Sequence, residues 1–127
     1  MDRLALVADC GSCFGLCCVA LAFERSVDFP VDKDAGDPCQ HLDGGFGCTI
    51  HADLRSEGYR GCTVYDCFGA GQQVSQVTFG GVSWRDDPAT SGAVFAALPV
   101  MRQLHEMLWY LAEAAERPEA TVLGDDI

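Results

Sequence analysis

All eight cysteines of this chain fall within its first 67 residues: Cys10, Cys13, Cys17, Cys18, Cys39, Cys48, Cys62 and Cys67. None follows. A density of this kind leaves few options for the amino-terminal half. Eight thiols make four disulfides or two four-thiolate metal sites. One or two of them can instead pack as small apolar residues. The compartment separates the first two readings. The start, Met1-Asp2-Arg3, carries an acid, and the apolar stretch Leu4–Ala8 stops at Asp9. That is too short and too acidic for a secretory leader. The expectation is a cytoplasmic protein, in which thiols stay reduced and a cysteine cluster more often binds metal than cross-links.

Spacing carries the argument further. Cys10, Cys13 and Cys17 sit at i, i+3 and i+7, within about a 60° arc of a helix. The sequence therefore predicts a helical platform over Cys10–Cys18, weakened by Gly11 and Gly15, with Cys18 turned away from the other three. Gly44, Gly45 and Gly47 between Cys39 and Cys48 mark a tight turn, and residues 40–42 and 48–51 are expected to pair as a short β-hairpin. Cys62 and Cys67 follow on a glycine-flanked loop. Four-cysteine sites suit Zn²⁺ and iron–sulfur clusters alike, and spacing does not separate the two. His41 and His51 stand beside cysteines. With eight thiols already enough for two sites, they are read first as hydrogen-bonding residues. Arg55 and Arg60 are placed to donate to sulfur or to pair with Asp53 and Asp66. Cys10-Gly-Ser-Cys13 has redox-motif spacing but lacks the preceding strand of a βαβ unit.

These segments resemble a known family. Cys10–Cys18 is similar to the signature of the CxxCxxCC zinc- or iron-chelating domain family. That family continues with Cys-x-x-Leu, Cys-x-Ile-aromatic and a last pair of cysteines. Here these read Cys39-Gln-His-Leu42, Cys48-Thr-Ile-His51, and Cys62 with Cys67. The resemblance covers about residues 9–68 and takes in every cysteine. It is closest to the form found in the amino-terminal part of some bacterial pentapeptide-repeat proteins, through Tyr65–Gln72 and the Arg102–Glu106 helix segment. No pentapeptide array is present in this chain. Three residues rather than two separate Cys13 from Cys17, His51 stands where an aromatic is common, and the family's Arg-Pro dipeptide is missing. The resemblance implies metal ligation by the cysteines and names no reaction. Some relatives of the motif are linked to methyl transfer, so a cluster-dependent redox or methyl-transfer enzyme is the alternative reading.

The remainder reads as scaffold. A helix near 70–78 ends at Gly80-Gly81, and Val82–Trp84 is a short strand or extended turn. Asp87-Pro88 predicts an N-cap and a helix over 88–97. Pro99 should break or kink it. A second helix over 99–116 then presents Met101, Leu104, Leu108, Leu111 and Ala115 on one apolar face, widened by Trp109 and Tyr110. Glu113 and Arg117 stand at i, i+4. His105 is a packed or surface residue of that helix. The apolar face is core, or a docking face over 101–115 for a protein partner. The fold expected is one mainly α domain over 1–127: a cysteine-rich half at 9–68, a helical scaffold at 69–117 with its long helix on the cysteine half, and a flexible tail at 118–127. With 19 acids against 8 bases and a net charge of −11, neither nucleic acid nor membrane is an expected partner. No run of about 20 apolar residues is present to span a bilayer. No recognised catalytic motif appears.

Overall fold

The computed structural model describes residues 3–117; the expected tail at 118–127 lies outside them. A 3₁₀ turn at Arg3–Leu6 leads to helix α1 (Leu16–Ala20). A long irregular stretch follows, with a 3₁₀ turn at His51–Asp53 and helix α2 (Arg60–Val64). Helix α3 (Ala70–Gln72) runs directly into a π-helical turn at Gln73–Thr78. A 3₁₀ turn at Pro88–Thr90 then opens the long helix α4 (Ser91–Ala115).

The core forms where α1, α3 with its π-helical turn, and α4 meet. Leu16, Val19 and Ala20 occupy the i, i+3 and i+4 positions of α1, so a five-residue helix can bury one full face. They pack with Ala70 from α3, Val74 from its π-helical turn, and Val94 and Leu98 from α4. A satellite nucleus forms in the irregular half. There Phe23 and Phe29 stack at 4.1 Å, and the buried Tyr59 meets both rings edge-on.

The expected hairpin is not present. Among the described residues the β structure is two isolated bridges, Phe23 with Lys33 and Leu42 with Cys48. Asp43 explains the second. Its carboxylate accepts the N–H groups of Gly45 at 2.8 Å and Gly47 at 2.9 Å, closing a side-chain-held turn. Residues 39–42 already form a turn, through Leu42 N–H to Cys39 O at 3.0 Å, and 51–53 coil into a 3₁₀ turn. No chain is left for a ladder. Val82–Trp84 likewise forms no strand.

The long helix departs from expectation in two ways. It runs unbroken through Pro99, because Val94, Leu98 and His105 bury on both sides of the proline and hold one rod against the core. Its cap is Thr90 rather than Asp87, which precedes the 3₁₀ turn. The buried face is also rotated. Leu104 and Leu111 are 51% and 64% exposed, and the inward positions are Val94, Leu98 and His105, with Met101 packed beside them. The aliphatic stripe drew the expected face, but the core selects the side that can also hold His105. Glu113 pairs with Arg3 at 3.1 Å, as does Glu116 at 2.6 Å, tying the first turn to the last. No helix is long and apolar enough to cross a membrane among the described residues.

Candidate metal centre

The helical platform expected over Cys10–Cys18 does not form. The helix begins only at Leu16, because Phe14 and Gly15 take left-handed backbone angles, φ 54° and 62°. A tight turn replaces it, with Leu16 N–H donating to Cys13 O at 3.2 Å. Gly15 suits that turn because its φ of +62° is a backbone conformation that side-chain-bearing residues rarely adopt. Cys17 and Cys18 nevertheless lie on α1, and their sulfurs are 4.0 Å apart. Cys18, expected to turn away from Cys10, Cys13 and Cys17, thus keeps its sulfur beside that of Cys17.

Cys67 is brought to this region by α4. Arg102 Nε donates to Asp66 O at 2.9 Å, and His105 Nδ1 stands 2.7 Å from Phe68 O. A carbonyl only accepts, so His105 is protonated on Nδ1. These two side chains bracket Cys67 by holding the carbonyl on each side of it. A Cβ on Gly71 would lie 3.8 Å from Cys13 Sγ and 3.9 Å from Cys67 Sγ, so both sulfurs flank the same glycine. The loop cysteines are tied in by backbone. Cys39 N–H donates to Cys18 O at 2.7 Å, and Cys48 forms the bridge with Leu42. Cys62 sits exposed on α2.

All eight cysteines are unpaired in this structure. Cys13 is buried, Cys10, Cys17 and Cys62 have exposed surface, and the rest are half-buried. Burial raises Cys10, with the charges of Cys17 and Cys67 adding to it. Burial raises Cys13 too, while the N–H groups of Gly15 and Leu16 favour its thiolate. The hydrogen bond with Cys18, then burial, holds Cys17 strongly protonated. Burial pushes Cys62 up to about 11, with Cys17, Cys39 and Cys48 adding to it. Among the described residues, no three thiol, imidazole or carboxylate groups stand close enough together to hold an ion as they are.

Tyr65 is the residue that sequence reasoning missed. Its hydroxyl is buried with no hydrogen-bond partner. Burial and the charges of Cys67 and Cys17 raise it, so it stays a neutral O–H donor among sulfurs. A buried hydroxyl left unsatisfied costs about 1–3 kcal/mol, and a thiolate acceptor would relieve it. The donor set therefore fits a metal centre chemically: soft sulfur ligands, backbone N–H groups facing Cys13, and an orphaned donor beside Cys17 and Cys67.

The other candidates fall elsewhere. His41 packs edge-on against Tyr59 at 5.2 Å, and His51 is exposed. Arg60 pairs with Asp28 at 2.5 Å rather than with Asp53 or Asp66. Asp66 accepts from Phe68 N–H at 2.8 Å. The lone lysine, Lys33, donates to the carbonyls of Val19, Asp34 and Asp37 at 3.2, 3.1 and 2.7 Å, and stands near Cys39 and Cys18.

Comparison with known proteins gives one similarity. The chain is 58% identical over 109 residues to the "Uncharacterized protein YybG" of Bacillus subtilis (strain 168). That match covers 86% of this chain and 39% of the relative, so the chain spans about two fifths of the relative's length. No family model matches the chain, and no solved structure matches it.

Proposed function

We propose that this chain is a metal-binding protein that holds Zn²⁺ or an iron–sulfur cluster through its cysteines, in a structural or accessory role. The observation that carries the reading is that eight unpaired cysteines crowd positions 10 to 67, with the Cys17 and Cys18 sulfurs 4.0 Å apart and the Cys13 and Cys67 sulfurs both beside Gly71. Most of that cysteine half lacks regular structure. Its long stretch from Leu21 to Ile50 has two bridges and no helix. Metal ligation supplies what such a segment lacks, because binding energy at thiolates becomes folding energy. The orphaned Tyr65 hydroxyl and the similarity to the CxxCxxCC family support the same reading. When bound, the metal would supply charge neutralisation and cross-linking. The chain's own residues fix where the sulfurs sit: Arg102 and His105 hold the Cys67 turn, and Lys33 fixes the loop that carries Cys39.

The test is elemental analysis and absorption spectroscopy on protein purified without air, with a free-thiol count in denaturant. Stoichiometric zinc, or iron with acid-labile sulfide, supports the reading, and chelation should then cost helical signal. A folded protein with no metal and eight titratable thiols overturns it.

A further inference from the structure

Helix α4 is apolar on two sides. Val94, Leu98 and His105 turn one face into the core, within about a 40° arc at 100° per residue. About 130° round the helix lies a second stripe, Val100, Leu104, Met107 and Leu111, every member more than half exposed. Met101 and Leu108, both half-buried, fill the sector between, so apolar surface runs from the core out to the stripe. Ala96 and Ala97 before it, and Ala114 and Ala115 after it, extend the stripe in small residues. Charge is kept off it. The charged residues of α4 are Arg102, Glu106 and Glu113, and each is engaged within the chain: Arg102 with Glu106 at 2.7 Å, and Glu113 with Arg3 at 3.1 Å. A helix that is apolar round most of its circumference is ordinarily covered. In a chain of net charge −11, an uncharged outer face is the one place where a like-charged molecule can approach without opposed acids.

The stripe is its own complement. Its steps run four, three, four, the spacing of a coiled-coil seam, and they read the same from either end. Reversed about the midpoint between His105 and Glu106, Val100 falls against Leu111 and Leu104 against Met107, while Ala96 and Ala97 fall against Ala115 and Ala114. Large meets large at the centre, and alanine meets alanine at both ends. We propose that the outer face of α4 binds the same face of a second copy of this chain, antiparallel across a two-fold axis at that midpoint. The central side chains interlock as knobs into holes, and the alanines let the helix ends close in. Antiparallel packing also sets opposite ends of the two helix dipoles together. A lone helix pair buries less than about 1,200 Å² in total, the small end of specific interfaces, so the association is weak and dilute chain is single. The stripe therefore adds to pairing and not to the stability of one copy. The inference is independent of the metal-binding reading.

The test is sedimentation equilibrium of the full chain, reduced and at one fixed metal condition, from about 1 to about 500 μM. The expected result is a monomer that passes to a dimer as concentration rises. Leu104→Glu and Met107→Lys alter exposed positions and leave the core untouched, so each should weaken pairing by about tenfold or more at unchanged helical signal. Mixed one to one, the two variants should pair again, because the antiparallel register sets the introduced acid against the introduced base. A monomer throughout the range overturns the proposal and leaves the face to a different partner. A dimer indifferent to both substitutions overturns it by placing the contact elsewhere. Loss of pairing without recovery on mixing overturns the antiparallel arrangement.

Discussion

Replacing Gly69 by alanine creates a collision that no side-chain rotation can relieve. Gly69 has φ +81°, and a Cβ there would stand 2.1 Å from the Ala5 carbonyl oxygen and 2.9 Å from its carbon. Left-handed backbone costs an alanine about 1–2 kcal/mol. Forcing two backbone segments apart adds about 1–3 kcal/mol, as overpacking does in a close-packed interior. The sum is a loss of about 2–5 kcal/mol. Gly80 separates the two contributions. Its φ is +68°, yet a Cβ there would meet nothing within 4 Å, so Gly80→Ala should cost only about 1–2 kcal/mol. Urea unfolding of both variants and the parent, reduced and at one fixed metal condition, reads the difference directly. The expected midpoints place Gly69→Ala about 2 kcal/mol below Gly80→Ala at unchanged slope. Equal midpoints would refute the reasoning, because the approach of Ala5 to the Cys67-Phe68-Gly69 turn would then constrain nothing.

Leu98→Ala, at a fully buried site, should lose about 3 kcal/mol, whereas Leu104→Ala and Leu111→Ala should stay within about 0.5 kcal/mol; equal losses in urea unfolding would restore the face read from the stripe. Tyr65→Phe should stabilise the metal-free chain by about 1 kcal/mol, since it removes an unsatisfied buried hydroxyl, yet shift the sulfur-to-metal absorption of the Co²⁺-loaded chain. A destabilised metal-free variant would show that the hydroxyl has a partner in solution. The raised thiols also set a sign with pH. The folded metal-free chain holds these protons more tightly than the unfolded chain, so its stability is complete below the ordinary thiol range near about 8.5. It should then fall as pH rises toward the value of about 11 at Cys62. Unfolding midpoints that stay flat from neutral to alkaline pH would contradict this.

The elements legible in sequence were those set by local chemistry. The helix over 70–78 was marked by the Gly80-Gly81 stop, and both glycines do take positive φ. The existence of a long carboxy-terminal helix followed from its apolar repeat. Its inward face did not, because seven aliphatic and aromatic side chains compete for one narrow contact and the choice depends on what the core presents. The cysteine half was misread in its geometry for a related reason. Helical spacing of Cys10, Cys13 and Cys17 assumed ordinary backbone angles, and a left-handed Phe14 has no signature of its own. One signal was available, the Cys-Phe-Gly tripeptide repeated at Cys13 and Cys67, which would have suggested equivalent turns. Tyr65–Gln72 and Arg102–Glu106 read in the sequence as two separate segments. Only tertiary structure explains the pairing, through Arg102 and His105 on the carbonyls beside Cys67.

The clasp of Arg3 by Glu113 and Glu116 sets the beginning and the end of the described chain side by side. A short linker closing that gap should permit circular permutation, with new termini opened in the exposed Gly44-Gly45 turn.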